Sequence, residues 1–191
     1  MLPPTRNVGR RRHEPSPAFG LDRTRAGDSP SLAQSQQPYA GLEARSIKAL
    51  SEQQIADLRA GRGMGLALAA ELNGYPGPMH VLEMADALDL SGQQRAKMQE
   101  LFAAMKAEAI PLGERLIAQE AELDKAFAAK TVTPPSLAAA TDAIGTTHSA
   151  LRQTHLKYHL SAVEVLTPAQ IQRYSELRGY KGGMQHPHSQ H

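Results

Sequence analysis

The chain has 191 residues, carries 21 Lys and Arg against 19 Asp and Glu, and contains neither Cys nor Trp. This length permits one ordinary domain with a tail, but not two large domains. Because Cys is absent, disulfide frameworks, thiolate metal sites and Cys nucleophiles are excluded. The near balance of charge argues against a dedicated nucleic-acid-binding protein, which is usually more basic.

The first 40 residues differ in composition from the rest of the chain. Residues 1–40 contain six Arg and three acidic residues, are rich in Pro, Ser and Gln, and show no apolar periodicity. We therefore expect a disordered basic segment. It lacks the apolar stretch of a secretory signal, so the sequence as written predicts no signal peptide, and a misassigned start or a divergent leader are both open. No apolar run approaches the roughly 20 residues that span a bilayer, and no membrane span is expected.

Helical spacing begins near residue 46, and Gly or Pro marks almost every break. We expect a helical domain over 41–180, followed by a flexible His-containing tail at 181–191. Two short amphipathic helices are predicted at 51–59 and 79–88. The loop at 73–78 separates them, because its two prolines and two glycines interrupt helical hydrogen bonding.

Two long helices follow. Apolar residues recur at three-and-four spacing from 91 to 129, which predicts a helix that is kinked at Pro111 but continues beyond it. After a turn at 131–135, a second long helix runs to about residue 165, and a last helix covers 167–177. Two such helices joined by a short turn predict an all-α fold built on a long, bent antiparallel hairpin with shorter flanking helices.

Three predicted helix starts share one local phrase, namely Leu, then Ser or Thr, then two free positions and Gln. This is a capping box, in which the hydroxyl accepts from the backbone of the third helical residue and the Gln side chain reaches back to the cap. The three boxes are Leu50-Ser51-x-x-Gln54, Leu90-Ser91-x-x-Gln94 and Leu166-Thr167-x-x-Gln170.

The second and third boxes each open a helix and are separated by the long hairpin, and this arrangement resembles the repeat of the Spy and CpxP family. That family includes the metal-responsive proteins ZraP and CnrX, and the similarity covers about 46–180. The resemblance implies a hooked-hairpin fold, usually a homodimer with a concave cradle, in the periplasm, with no enzyme activity and no required cofactor. It also implies unfolded client proteins, or a membrane sensor or anti-sigma protein, as partners.

The histidines suggest a metal site. At 100° per residue, His148, His155 and His159 fall on the apolar stripe of the second long helix and point toward its partner. His155 and His159 have the i, i+4 spacing that lets two imidazoles converge on one metal ion. With His80 and Glu83 they would supply three nitrogens and one carboxylate, a set that suits Zn, Cu(II), Ni or Co. The alternative is that these are interface or core histidines satisfied by neighbouring carboxylates.

The resemblance supports the metal hypothesis in part, because metal-sensing relatives place a His-x3-His or His-x3-Met pair before each corresponding helix start. Here the second pair lies about one turn earlier, and the first is His-x2-Glu. A looser metal-capturing element is the tail, with Met184, His186, His188 and His191.

The leading functional hypothesis is a periplasmic stress-response protein, either an ATP-independent chaperone that binds unfolded protein or a modulator of envelope-stress signalling. The alternative is a heavy-metal sensor or resistance protein, and a third is a cytoplasmic helical adaptor whose basic arm contacts nucleic acid, although no nucleic-acid partner is expected. Methionines in the first half of the chain could line a pliable cradle or simply fill the core; they are Met64, Met79, Met84, Met98 and Met105.

Overall fold

The computed structural model describes residues 39–180. The predicted N-terminal arm and C-terminal tail therefore lie almost entirely outside the described residues. Across residues 39–180 the fold is all-α, as predicted, and none of its helices is long and apolar enough to cross a membrane. The elements are a 3-10 turn at Leu42–Ala44, α1 at Glu52–Arg59, α2 at Leu68–Glu71, α3 at Pro78–Glu83, α4 at Gly92–Ala128, α5 at Pro134–Val165 and α6 at Pro168–Leu177.

Helices α4 and α5 pack along each other and form the predicted hairpin, with the shorter helices at its sides. At 1.5 Å per residue they are about 55 and 48 Å long. Helix α4 continues through Pro111, as predicted. Pro111 cannot donate to the carbonyl of Ala107, but both residues are exposed, so water can satisfy that carbonyl.

All three predicted capping boxes are confirmed, and both hydrogen bonds of each box form. A fourth box at the start of α5, between Thr133 and Ser136, was not predicted, because Ser is an unusual partner at the third helical position. The repeated Leu-Ser/Thr-x-x-Gln phrase has a further role at the open end of the hairpin. There the side chains of Gln94 and Gln170 pair with each other, whereas that of Gln54 serves α1 alone.

The Gln94 amide donates to Gln170 Oε1 at 2.8 Å and to the carbonyl of Val165 at 2.9 Å. The Gln170 amide donates to Gln94 Oε1 and to the carbonyl of Leu88, both at 3.1 Å. Each Gln thus caps its own helix and also donates to one carbonyl of the other connection. This reciprocal pair explains why the phrase occurs twice, and it locks the start of α4 against the start of α6.

One predicted helix is shorter than expected. The spacing predicts a helix over 79–88, but regular α-helix ends at Glu83 and is followed by turns. Met84 adopts φ −109° and ψ 20°, and Asp89 lies at a positive φ of 48°, so the chain reverses before it enters α4. The apolar positions Ala85 and Leu88 are nonetheless buried. The apolar periodicity therefore predicted correctly that these positions are buried, but its prediction of a helix beyond Glu83 was wrong.

The core consists of two apolar clusters that are separated along the hairpin. The first lies where α1 packs on the middle of the hairpin, and it contains Ile47, Leu50, Ile55, Leu58, Ala109, Leu116, Ile117 and Leu151. The second lies at the open end, and it contains Val81, Ala85, Leu88, Leu90, Met98, Ala162, Leu166 and Tyr174.

Candidate metal-binding groove

A groove of about 650 Å³ opens in the interval between the two apolar clusters. Along α5, Leu151 belongs to the first cluster and Ala162 to the second, and the buried positions between them include His155 and His159. The other walls come from the glycine-rich loop at 60–65 and from the start of α3. Polar residues therefore occupy a stretch of the hairpin where continuous apolar packing would be expected.

All four predicted ligand residues, His80, Glu83, His155 and His159, line this groove. His155 and His159 are buried, as the stripe predicts. The same prediction is wrong for His148, which is exposed, because the buried stripe passes through the adjacent Thr147 at that level of the helix.

The imidazole of His159 has a defined orientation. Its Nδ1 lies 2.6 Å from the carbonyl oxygen of Tyr75, which can only accept, so Nδ1 carries the hydrogen and the lone pair of the neutral ring is on Nε2. Gly77 makes room for this ring, because a Cβ added there would lie 2.8 Å from Cε1 and 2.9 Å from Nε2 of His159. A metal-bound imidazole usually has this arrangement, with its second nitrogen donating to a carbonyl or carboxylate.

His155 presents an unsatisfied nitrogen. Its Nε2 is buried and has no hydrogen-bond partner, although buried polar atoms are nearly always paired. Burial, and then the neighbouring His159, lowers the pKa of His155. The ring is therefore neutral at pH 7 and keeps a free lone pair. Gly63 of the loop lies against it, since an added Cβ would be 3.4 Å from Nδ1.

His80 and Glu83 are engaged with each other at the edge of the groove. His80 Nδ1 and Glu83 Oε2 are 2.9 Å apart, and both side chains are partly exposed. Within residues 39–180 no three His, Asp or Glu side chains are gathered closely enough to hold a metal ion. The structure thus brings the four predicted residues to one groove but does not gather them around one point.

Sequence reasoning missed a buried carboxylate beside the groove. Glu71 on α2 accepts hydrogen bonds from the hydroxyl of Tyr174, from the hydroxyl of Tyr180 at 3.1 Å and from the backbone of Gly77 at 3.3 Å. Its Oε2 also lies 3.7 Å from His159 Nδ1. Burial, together with the hydrogen bond to Glu71, raises the pKa of Tyr174. A single Glu on a four-residue helix gives no periodic signal that could have revealed this role.

The methionines divide into two groups. Met98 is fully buried in the second apolar cluster and Met84 packs against that cluster, as core filling predicts. Met64, Met79 and Met105 line the groove instead, with Met105 buried and the other two exposed.

These observations define the class of protein as a capped α-helical hairpin with a groove lined by His and Met. The sequence model of the heavy-metal resistance family matches residues 63–173, which is more than half of the chain. The chain therefore belongs to the heavy-metal resistance family, part of the group that includes Spy, CpxP and ZraP, and this confirms the resemblance drawn from the Gln motifs. The family is typically periplasmic and generally non-enzymatic. No match was found among curated proteins or solved structures.

Proposed function

We propose that this protein binds a transition-metal ion in the groove and acts as a metal-resistance or metal-sensing protein of the periplasm. The observation that carries the proposal is His155, a residue of the groove lining whose buried Nε2 has no hydrogen-bond partner. Leaving such an atom unpaired costs about 1–3 kcal/mol, and a metal ion bound by this imidazole would offset that cost.

The chemistry of the neighbouring ring supports the same conclusion. His159 donates from Nδ1 and keeps its Nε2 lone pair. A ligating imidazole must be neutral, and the lowered pKa of His155 keeps that ring neutral at pH 7. His155 and His159 would be the principal ligands, and Zn, Cu, Ni and Co are the predicted metals. His80 and Glu83 would join them only by giving up their mutual hydrogen bond.

The test is calorimetry of the full chain with Zn, Cu, Ni and Co at two pH values. The starting protein carries His186→Ala, His188→Ala and His191→Ala, so that the tail does not contribute. We expect one ion per chain, with affinity falling as the pH drops through the histidine range.

The double variant His155→Ala, His159→Ala should abolish this binding, and His148→Ala, an exposed histidine on the same helix, serves as the matched control. If the double variant binds as tightly as the starting protein, or if no ion binds more tightly than about millimolar, the proposal fails.

A chaperone role is the second candidate, and exposed apolar side chains beside the groove favour it. Met64, Leu68, Leu72, Tyr75 and Met79 are all exposed within one short segment. Where exposed apolar side chains adjoin one another, they are typical of a protein-binding site. The variant Leu68→Ser, Leu72→Ser should weaken suppression of client aggregation in metal-free buffer, whereas Leu160→Ser, an exposed Leu on α5, should not. Equal suppression by both variants would count against this surface.

Three other hypotheses stay predictions. These are homodimerisation, a membrane sensor or anti-sigma partner, and contact between the basic N-terminal arm and nucleic acid. Sedimentation of the full chain tests the first. Binding that weakens steeply with salt and requires residues 1–40 would support the third.

A further inference from the structure

We propose that Glu71 is the positioning residue for His159, because its buried carboxylate keeps the hydrogen of the imidazole on Nδ1 and so leaves the lone pair on Nε2. This inference rests on the proposed function, since a metal ion would use that lone pair. Glu71 is not itself a ligand in this arrangement. The tautomer that it favours can be measured in the metal-free chain, whether or not an ion binds.

The carboxylate of Glu71 lies on the Nδ1 side of the His159 ring. Its Oε2 is 3.7 Å from Nδ1, which is too long for a hydrogen bond, so the two groups interact through charge. The side chains are only 7% and 10% exposed, and a charge acts more strongly in such surroundings than in water. A negative charge beside Nδ1 attracts an N–H group there and repels a lone pair, so it stabilises the Nδ1–H tautomer.

Glu71 also anchors the loop that carries the hydrogen-bond acceptor of His159. The N–H of Gly77 donates to Glu71 Oε2 at 3.3 Å. Two residues earlier, the carbonyl of Tyr75 accepts from His159 Nδ1 at 2.6 Å. One carboxylate therefore holds the loop on which this acceptor lies and places its own charge beside the same nitrogen.

The end of α6 fixes the carboxylate itself. Glu71 Oε1 accepts from the hydroxyls of Tyr174 and Tyr180, and Arg178 Nε lies 3.6 Å from the same oxygen. Arg178 also donates to the Tyr180 hydroxyl at 3.2 Å, which leaves the hydrogen of that hydroxyl for Glu71. Because one oxygen is held from α6 and the other from the loop, the carboxylate cannot turn away without losing hydrogen bonds on both sides.

The tautomer favoured by Glu71 is the one that metal binding requires. A ligating imidazole offers one nitrogen to the ion and donates from the other, and loss of the group that orients it typically costs 10–100-fold in metal affinity. Glu71→Gln tests this role, because it keeps the size of the side chain and removes the negative charge. Glu108→Gln is the matched control, since Glu108 also accepts from a buried Tyr, Tyr158, but does not line the groove.

The experiment uses the full chain with the three tail histidines replaced and with its remaining histidines labelled with ¹⁵N. The ¹⁵N shifts of Nδ1 and Nε2 in the metal-free protein at pH 8 report which nitrogen of His159 carries the hydrogen. We expect Nδ1–H alone in the starting protein and in Glu108→Gln, and a mixture of both tautomers in Glu71→Gln. Zn affinity by calorimetry should fall about 10–100-fold in Glu71→Gln and stay within about twofold in Glu108→Gln.

Tyr174→Phe separates positioning from stability. It removes a donor to Glu71 but keeps the negative charge beside His159. We expect this variant to unfold at a lower urea concentration while His159 stays in the Nδ1–H form. If Tyr174→Phe shifts the tautomer as far as Glu71→Gln does, the loss of stability and not the charge of Glu71 is responsible, and the inference fails.

An unchanged tautomer or an undiminished Zn affinity in folded Glu71→Gln would overturn the inference. An Nε2–H tautomer in the starting protein would also overturn it, and that result needs no variant to fold. If Zn binds through His155 and His159 in either case, the proposed function stands and only the positioning role falls. If no ion binds but the tautomer depends on Glu71, the proposed function fails and the positioning role stands.

Discussion

Gly113 on α4 lies against the backbone of α1, and this contact gives a sharp test of how α1 is held. A Cβ added to Gly113 would lie 2.4 Å from the carbonyl oxygen of Leu58, 2.9 Å from its carbonyl carbon and 3.3 Å from its Cα. All three atoms belong to the α1 backbone, so rotation of a side chain cannot relieve the overlap. Gly145 on α5 is the matched control, because nothing lies within 4 Å of a Cβ added there.

Both substitutions raise helix propensity, but only Gly113→Ala also overpacks the contact between α1 and α4. Replacing Gly by Ala inside a helix gains about 0.8–1 kcal/mol of helix propensity. At Gly113 the helix α1 must also move by about 1 Å, which disturbs the buried Ile55 and Leu58, and overpacking of this kind costs about 1–3 kcal/mol. Since backbone opposes backbone, we take the upper part of that range. Gly113→Ala should lower the free energy of unfolding by about 2 kcal/mol, and Gly145→Ala should raise it by about 1 kcal/mol.

Urea unfolding followed by circular dichroism measures both changes on the metal-free chain. At roughly 2–4 °C per kcal/mol for a domain of this size, Tm should fall by about 4–8 °C for Gly113→Ala and rise by about 2–4 °C for Gly145→Ala. If Gly113→Ala is as stable as Gly145→Ala, then α1 is not packed against α4 at this distance, and the position of the glycine-rich loop that follows α1 would also be in doubt.

Three further predictions concern stability in metal-free buffer. Gln170→Ala should lower the free energy of unfolding by about 2–3 kcal/mol, because it removes a cap and the reciprocal Gln pair, whereas Gln54→Ala, which removes a cap alone, should cost about 0.5–1 kcal/mol; equal losses in urea unfolding would contradict the pairing. Tyr174→Phe removes a donor to the buried Glu71 and should lower the free energy of unfolding by about 1–2 kcal/mol. An unchanged midpoint in urea unfolding would count against the hydrogen bond from Tyr174 to Glu71. The pKa of His155 in the folded protein lies below the unfolded value near 6.5, so the unfolded chain binds more protons. The free energy of unfolding should therefore be full above pH 6.5 and fall as the pH drops below it. His155→Gln should flatten this pH dependence, and an unchanged slope would refute the lowered pKa of His155.

The fold could be predicted from the sequence because its determinants are local. Helical periodicity, the Gly and Pro breaks and the capping boxes each depend on a few adjacent residues, and they correctly located α1, α4, α5 and α6. The end of α3 was wrong because apolar spacing reports burial, and the turns after Glu83 bury Ala85 and Leu88 without helical geometry. Capping boxes were recognised, but the pairing of two of them needed the tertiary fold.

The candidate site was predictable only where its residues share a helix. His155 and His159 are one turn apart, so their common burial followed from helix geometry. Glu71 could not be found in this way, because its partners Tyr174 and Tyr180 lie about a hundred residues away in the chain. The role of Met105 was ambiguous for a similar reason, since periodicity cannot distinguish a groove from a core.

The separation of the core into two clusters connects the stability of the fold with its proposed chemistry. If apolar packing continued from Leu151 to Ala162, His155 and His159 would be replaced by aliphatic side chains and the groove would close. The polar stretch between the two clusters is tolerated because each cluster is stabilised separately. Helix α1 packs on the first cluster, and the hydrogen-bonded pair of Gln94 and Gln170 holds the helix starts beside the second. A hairpin that is secured on both sides of a polar gap can leave a buried nitrogen without a partner. Binding of an ion in the groove would add stability that rises with the logarithm of the ion concentration relative to its Kd.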